Sequence, residues 1–322
     1  MKVLITGGAG FIGYHLSKML VENGHEVIVY DEYLDFIDPE KSLHSKYLKI
    51  RLDWLKENTK LIRGDIRHKI EFFKTLQENQ PDVIVHLAAL PISTTSNEFP
   101  EDAVGINLNG TINVLDSIKL VPSVKKFVYA SSSMVYGNFV KPMADEDHPT
   151  SPLDVYGATK LSCEHLTRAY HKQYGINYVI IRPSAVYGPT DCNRRVSQIF
   201  IENMMAGKPL TLHNGGESKL DFTYVEDIAQ GFYLAATTDK GNGQTFNITR
   251  GEGRSLKEFV EILKPLIGKD VQIEYKPADM KRPERGTLDI TRAKTILGYE
   301  PKYSLEEGLE KYVKFIKEHV EV

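Results

Sequence analysis

The sequence predicts an α/β fold in which a doubly wound parallel sheet is covered by helices on both faces. Short apolar runs, such as residues 3–5, 27–30 and 83–85, alternate with longer segments whose apolar residues recur at helical spacing. These runs are almost continuously apolar, which is typical of parallel strands buried on both faces. The alternation loosens after residue 182. We therefore expect a smaller, interleaved C-terminal α/β lobe that covers the strand ends and forms a cleft.

The elements follow in order from periodicity and turn residues. The first helix ends at Asn23-Gly24, and residues 32–58 predict a loop and a helix inserted after the second strand. The expected strands lie at about 3–6, 25–30, 60–66, 81–89, 124–130, 176–183, 244–248 and 271–275. The expected helices lie at 12–23, 68–78, 107–119, 156–174, 196–206, 255–267, 292–297 and 305–318, with another ending near 238.

Composition narrows the class of protein. The 322 residues include 40 Lys and Arg against 43 Asp and Glu, without a long charged run, so a nucleic-acid partner is not expected. No apolar run approaches the roughly 20 residues of a membrane helix, and Met1 enters the first strand without room for a signal peptide. Cys163 and Cys192 have neither metal spacing nor a disulfide framework. We expect a cytoplasmic chain without a metal.

A glycine-rich turn follows the first strand. Gly7, Gly10 and Gly13 recur at intervals of three, close to the dinucleotide fingerprint. Gly7 permits a sharp turn, Gly10 lets backbone N–H groups approach a pyrophosphate, and Gly13 lets the helix pack closely on the sheet. Phe11 and Ile12 begin that helix, whose positive end would hold the phosphates. The turn therefore predicts a dinucleotide-binding site.

The second strand ends in Asp31, at the distance expected of a βαβ unit. A carboxylate there accepts hydrogen bonds from the adenosine ribose 2′-OH and repels a 2′-phosphate, which favours NAD over NADP. The sequence thus predicts a Rossmann-type sheet. Residues 1–182 with about 222–250 are expected to form the NAD-binding domain, and residues 183–221 with 251–322 the substrate-binding lobe.

Further cofactor contacts are expected after the third and fourth strands. Asp65 and Ile66 suit the exocyclic amine and the ring face of adenine, although a strand end that caps the next helix is an equal alternative. Asn107 is counted with the cofactor contacts, with capping and packing as its alternative. The residues after His86 would let a nicotinamide ribose lie close: Leu87, Ala88 and Ala89.

Hydroxyl groups and a Tyr–Lys pair suggest where chemistry occurs. The fifth strand ends in Ser131, Ser132 and Ser133, and ligands of such sheets bind beyond the carboxyl ends of the strands. Tyr156 and Lys160 are four residues apart and share one helical face. A surface Tyr–Lys pair is the alternative, but the predicted dinucleotide fold and the serine strand end favour an active site.

Together these features resemble the extended short-chain dehydrogenase/reductase family. The resemblance is carried by residues 6–13, by residues 131–137, by Tyr156-x-x-x-Lys160, by Arg182-Pro183 with residues 186–189, and by residues 221–227. It covers nearly the whole chain. Within the family, the sequence is similar to the nucleotide-sugar epimerases and dehydratases.

The resemblance implies roles for the catalytic residues. Tyr156 would remove a sugar hydroxyl proton while hydride passes to NAD, and Ser132 would hydrogen-bond the reacting oxygen. Free tyrosine has a pKa of about 10, which the Lys160 ammonium and the nicotinamide cation would lower. Lys160 would also bind the cofactor, and Ser131 and Ser133 would support the substrate.

The residues after Ser132 separate the reactions of the family. Dehydratases carry Asp-Glu there, and decarboxylases usually keep the Glu, whereas this chain has Ser133 and Met134. Epimerisation at C4 of a UDP-sugar, a hexose or a uronic acid, is therefore favoured, and residues 31–39 are similar to the uronic-acid 4-epimerases. The alternatives are a 4-keto-sugar reductase or dehydratase on the same scaffold and, from another class, a dinucleotide-sensing regulator.

Some positions depart from the family pattern and leave the sugar and the nucleotide open. Pro91 replaces the lysine of UDP-galactose 4-epimerases, and Ala185 replaces a usual Asn or Thr near the substrate. Lys219 stands beside the position of a common arginine, and Arg282 matches the second diphosphate-binding arginine. The resemblance also implies a homodimer that pairs the helices near 101–120 and 153–174.

Overall fold

A computed structural model describes residues 1–35, 44–279 and 283–319. Its strands are β1 (Lys2–Thr6), β2 (Glu26–Asp31), β3 (Lys60–Arg63), β4 (Val83–His86), β5 (Lys126–Ala130), β6 (Met143–Ala144), β7 (Tyr178–Pro183), β8 (Val186–Tyr187), β9 (Leu210–His213), β10 (Lys219–Asp221), β11 (Thr223–Tyr224), β12 (Gln244–Ile248), β13 (Gly253–Ser255), β14 (Ile273–Lys276) and β15 (Thr287–Leu288). Its α-helices are α1 (Phe11–Glu22), α2 (His44–Asn58), α3 (Lys69–Asn79), α4 (Ser93–Glu98), α5 (Pro100–Ala103), α6 (Gly110–Ile118), α7 (Val155–Tyr174), α8 (Val196–Met205), α9 (Val225–Thr237), α10 (Leu256–Ile267) and α11 (Leu305–His319).

The predicted doubly wound parallel sheet is confirmed. Seven strands pair in the order β12-β7-β5-β4-β1-β2-β3, and all of these pairs are parallel. The strand order reverses between β1 and β4, where the chain crosses from one half of the sheet to the other. Ligands of such sheets bind in the crevice outside the carboxyl ends of the strands at this point. The loops after Thr6 and His86 form the two sides of that crevice.

A buried histidine joins the two strands at this reversal. The His86 ring lies 2.6 Å from the Thr6 hydroxyl through Nδ1 and 3.0 Å from the Thr111 hydroxyl through Nε2. His86 is 1% exposed, and burial, aided by the nearby Lys160 charge, lowers its pKa from 6.5 to about 3. His86 therefore stays neutral in the folded protein and fixes the spacing of the two strand ends.

The neutral state of His86 predicts how stability depends on pH. In the unfolded chain His86 takes up a proton below about pH 6.5, whereas in the folded protein it does so only near pH 3. The contribution of neutral His86 to the free energy of unfolding is therefore complete above pH 6.5 and is lost as the pH falls. The loss is up to about 1.4 kcal/mol for each pH unit. Urea denaturation between pH 7 and about 4 should show this slope, and His86→Gln should flatten it. An unchanged slope in the variant would contradict the prediction.

Three hydrophobic clusters support the sheet and the lobe. One cluster packs α1 and α9 on the sheet, with Val3, Val29 and Phe232 among its residues, and a second packs α3 and α6 on the sheet. A third joins Phe200, Phe259 and further residues of α8, α10 and α11. The last strand to join the sheet in chain order comes from residues 244–248. The exact division into two domains stays a prediction.

Several boundaries differ from the expected ones. We expected a helix to begin at Asn107, but the helical run begins earlier, at Pro100. It consists of α5, a π-helical turn at Val104–Asn109, and α6. Pro100 occupies the first turn of α5, a position that proline favours, and Asn107 lies inside the helical run. The third and fourth strands end at Arg63 and His86, before the expected 66 and 89. Part of the predicted loop after the second strand, residues 36–43, lies outside the described residues.

Among the residues that the structure describes, no helix has the length and apolar character needed to span a membrane.

Candidate active site

A cleft of about 1200 Å³ opens at the carboxyl ends of the strands, at the reversal point of the sheet. It runs from the glycine turn, past the end of β5 and the start of α7, to residues of β9, β10 and α8. The candidate residues predicted from the sequence come from separate strand ends, and the fold brings most of them to this one cleft. The following predicted residues line it: Gly7, Gly10, Phe11, Ile12, Gly13, Asp31, Asp65, Ile66, Leu87, Ala88, Ala89, Ser131, Ser132, Ser133, Tyr156, Lys160, Ala185 and Lys219.

The glycine turn fits a pyrophosphate. Gly7 has φ +71°, and a Cβ there would lie 2.6 Å from the backbone nitrogen of Ala88. A Cβ on Gly13 would lie 2.5 Å from the Gly7 carbonyl oxygen, so α1 can approach the turn only without a side chain. Helix α1 begins after Gly10 without a side-chain cap, which leaves the first N–H groups of α1 directed into the cleft. A phosphate bound there would accept from them.

Asp31 has the position expected of a ribose ligand. Its carboxylate accepts hydrogen bonds from the Ala9 N–H at 3.0 Å and the Tyr33 N–H at 2.7 Å, and the residue lines the cleft. Burial raises the pKa of Asp31, an effect that the two N–H groups oppose. Because a carboxylate oxygen accepts more than one hydrogen bond, both oxygens retain capacity for the ribose hydroxyl groups.

The side chains of Asp65 and Asn107 form hydrogen bonds with other groups of the protein. Asp65 accepts from the Arg67 N–H at 2.8 Å and from its guanidinium; these contacts close the turn before α3, whose N-cap residue, His68, has no side-chain cap. Asn107, which we counted with the cofactor contacts, does not line the cleft. It is 1% exposed, and its amide accepts from the Leu90 N–H at 2.8 Å and donates to the Thr159 hydroxyl at 3.1 Å. Its position fits the packing alternative.

The three predicted catalytic residues meet at the centre of the cleft. Lys160 Nζ donates to the Ala130 carbonyl oxygen at 2.8 Å and lies 5.8 Å from the centroid of the Tyr156 ring. Ser132 Oγ accepts from the Met134 N–H at 3.2 Å and is hydrogen-bonded with Tyr156. The spacing of Tyr156 and Lys160 on α7 places both on the face that meets the end of β5.

The electrostatics of Tyr156 differ from the expectation. Burial raises the pKa of Tyr156, while the positive charge of Arg195 and the hydrogen bond with Ser132 lower it. We expected Lys160 to be the charge that lowers it, but Lys160 itself is buried, which lowers its own pKa to about 8. Arg195 was not among the predicted residues, and the Arg194-Arg195 pair before α8 was the signal for it in the sequence.

The remaining substrate candidates have different positions. Ser131 Oγ donates to Glu164 at 2.6 Å, and Glu164 in turn binds Arg182, so this hydroxyl fixes the strand end. Ser133 Oγ accepts from Arg285 at 3.4 Å and lines the cleft. Ala185 and Lys219 line the cleft on the side of the lobe. Arg282 lies outside the described residues.

Comparisons with known proteins agree with this geometry. The model of the NAD-dependent epimerase/dehydratase family matches residues 3–249. The chain is 33% identical over 321 residues to a UDP-glucuronate 4-epimerase of Thermodesulfobacterium geofontis, covering 99% of this chain and 97% of the relative.

Two solved structures are similar over the whole fold. One is UDP-glucuronic acid 4-epimerase from Bacillus cereus in complex with UDP-glucuronic acid and NAD, with TM-score 0.91, 33% identity and 99% of each chain covered. The other is UDP-glucose 4-epimerase from Thermotoga maritima with UDP-glucose, with TM-score 0.89, 32% identity and 100% of each chain covered. The glycine turn, the position of Asp31 and these matches make NAD the cofactor. The chain belongs to the NAD-dependent epimerase/dehydratase family.

Proposed function

We propose that the chain is an NAD-dependent nucleotide-sugar epimerase that inverts C4 of a UDP-sugar, a hexose or a uronic acid. The observation that carries the proposal is the meeting of Ser132, Tyr156 and Lys160 in the cleft of an NAD-binding sheet. The similar epimerases over the full length of the chain support it.

The residues can move a proton and hold the reacting oxygen. NAD, when bound, would supply a reversible acceptor for the hydride of C4. Tyr156, as phenolate, accepts the C4 hydroxyl proton and later returns it to the oxygen on the other face of the ring. Ser132 donates to that oxygen, and Lys160, fixed by the Ala130 carbonyl, holds a positive charge at the floor of the cleft.

The same cleft lacks groups for elimination at the positions where the family places them. Ser133 and Met134 both line the cleft after Ser132. A thioether neither gives nor takes a proton, so Met134 cannot act as a general acid or base. This arrangement favours epimerisation over loss of water or carbon dioxide.

The charge near the catalytic residues favours a uronic acid among the two sugar classes. Arg195 lines the cleft and acts on Tyr156, and Arg285 donates to Ser133. Two positive groups on the sugar side of the cleft suit a substrate that carries a carboxylate in addition to its diphosphate.

We further infer a homodimer formed by α6 and α7 with their copies, in a cytoplasmic protein. Phe99, Leu120 and Tyr174, which lie at the ends of these helical segments, are all exposed. Exposed large apolar side chains on these helical segments suit a protein contact. Cys163 and Cys192 are both buried and form no disulfide, which suits a reducing compartment.

The test is an incubation of the purified protein with UDP-glucuronic acid, UDP-glucose and UDP-N-acetylglucosamine, without added cofactor. NMR and mass spectrometry should find a product of unchanged mass whose C4 configuration is inverted. Loss of water or carbon dioxide would contradict the argument from Met134. A reaction that requires a keto-sugar and a reduced cofactor would instead identify a reductase.

A further inference from the structure

The loop at residues 188–195, which joins β8 to α8, forms a wall of the cleft. Thr190 and Arg194 have φ values of +69° and +47°, in the left-handed region that non-glycine residues rarely adopt. Such a conformation costs free energy and persists when surrounding contacts fix it. The conformation of this loop therefore depends on the contacts that hold it.

Two side chains from the cofactor side hold consecutive carbonyl groups of the loop. His15 of α1 donates from Nε2 to the Pro189 carbonyl oxygen at 3.1 Å, as a neutral ring whose pKa is lowered to about 4 by burial. Arg51 of α2 donates from Nη1 to the Thr190 carbonyl oxygen at 2.9 Å. Arg51 is 1% exposed although it is an arginine, and burying its charge is favourable only where strong contacts compensate.

The loop carries an ion pair whose arginine lines the same cleft as Tyr156. Asp191 is fully buried, and its Oδ1 lies 3.9 Å from Arg195 Nη1. Arg195 is the N-cap residue of α8, and it lines the cleft with Tyr156. Asp191 directly follows Thr190, so the carbonyl held by Arg51 also fixes the carboxylate that pairs with Arg195.

We propose that Arg51 is a positioning residue for the reaction: by holding Thr190 it keeps the Asp191–Arg195 pair, and with it a positive charge, beside Tyr156. This inference rests on the proposed function. Arg51 lines the cleft on the cofactor side and its charge also acts on Asp31, but its proposed effect on Tyr156 runs through the 188–195 loop.

The effect of Arg51 on Tyr156 must be separated from the effects of the other charged and titratable groups around Tyr156 and Asp191. Arg195 faces Tyr156 from the loop, Lys160 and Asp154 come from α7 and its N-cap, and Ser132 and Tyr129 come from β5 and the residues after it. The groups that face Asp191 are Arg51, Arg195, Tyr47, Tyr312, Glu202 and Cys192. Arg51 is a neighbour of Asp191, whereas Arg195 is the cation of the loop that acts on Tyr156.

The test measures ionisation of Tyr156 directly in the NAD-loaded enzyme. Tyrosine labelled with ¹³C at Cζ reports the phenol by NMR, and the resonance that disappears in Tyr156→Phe identifies it. The pH range is the one in which circular dichroism shows an intact fold. We expect Arg51→Met to raise the pKa of Tyr156 by about half to one unit, and thus to lower kcat about three- to tenfold at neutral pH with a smaller change in KM. Arg51→Lys, which retains a charged donor, should recover most of the loss.

A double-mutant cycle separates positioning from general destabilisation. Arg195→Met should raise the pKa at least as much as Arg51→Met, and Arg51→Met with Arg195→Met should match Arg195→Met alone. Additive shifts, or no shift in Arg51→Met, would overturn the proposal. Arg250→Met is the matched control, because Arg250 donates to the Pro301 carbonyl at 2.8 Å outside the cleft and should leave the pKa of Tyr156 unchanged.

A variant that fails to fold and a failure of the proposed function can both be told apart from a failure of this proposal. Should Arg51→Met fail to fold, Arg51→Gln, which keeps a donor but not the reach to Thr190, serves the same comparison. If the wild type converts no UDP-sugar, the proposed function fails, while the NMR titration still supports or overturns the positioning role of Arg51.

Discussion

Replacing Tyr156 by phenylalanine is expected to lower kcat by about 10³-fold while NAD remains bound. The variant keeps the ring and its packing but removes the only group at the centre of the described cleft that both hydrogen-bonds with Ser132 and lies beside Lys160. General acid–base groups typically contribute 10²–10⁴-fold. The measurement is single-turnover epimerisation, with bound cofactor quantified after denaturation of the protein.

The matched control for this prediction is Tyr170→Phe. Tyr170 lies on the same helix, α7, and donates to Asp116 at 2.9 Å away from the cleft. Its loss should leave kcat within about twofold, since only a peripheral hydrogen bond is removed. If Tyr156→Phe retained full turnover, the assigned base would be wrong. If the wild type bound NAD without any turnover, the regulator alternative would gain support.

Replacing Glu164 by alanine is expected to lower the free energy of unfolding by about 3–5 kcal/mol, the usual effect of breaking a buried ion pair. Glu164 is 0% exposed and receives hydrogen bonds from Arg182 at 2.8 and 2.7 Å. The variant leaves the Arg182 guanidinium, which is 3% exposed, without its carboxylate. It also removes the acceptor of Ser131, so the strand end beside Ser132 loses a fixed contact and kcat should fall.

Urea denaturation of three variants tests this prediction. Glu164→Leu combined with Arg182→Met should cost less than Glu164→Ala alone, because no unpaired charge remains buried. Asp53→Ala removes an exposed partner of Lys49 and should leave the midpoint unchanged. Equal losses in the single and the double variants would show that the pair does not act through charge burial.

The sequence alone was sufficient where function depends on short-range geometry. Gly7, Gly10 and Gly13 are needed for one turn, and Tyr156 and Lys160 share a face of one helix, so their spacing carries the information. Apolar runs predicted the strands of the sheet because burial on both faces leaves a local pattern. The role of Asn107 was harder to predict, because an asparagine near the start of a helix often caps that helix. In the structure its amide is buried and accepts from the Leu90 N–H.

The tertiary structure alone decided the contacts between distant segments and the electrostatics they produce. Arg51 meets Thr190 across 139 positions of sequence, and Arg195, rather than Lys160, is the cation that most lowers the pKa of the Tyr156 phenol. Such effects depend on burial and on distance in space, which change the strength of a charge several-fold without any change in local pattern. Local spacing thus determined the fold class and predicted the cofactor turn and the catalytic residues, while long-range packing decided how those residues are held and charged.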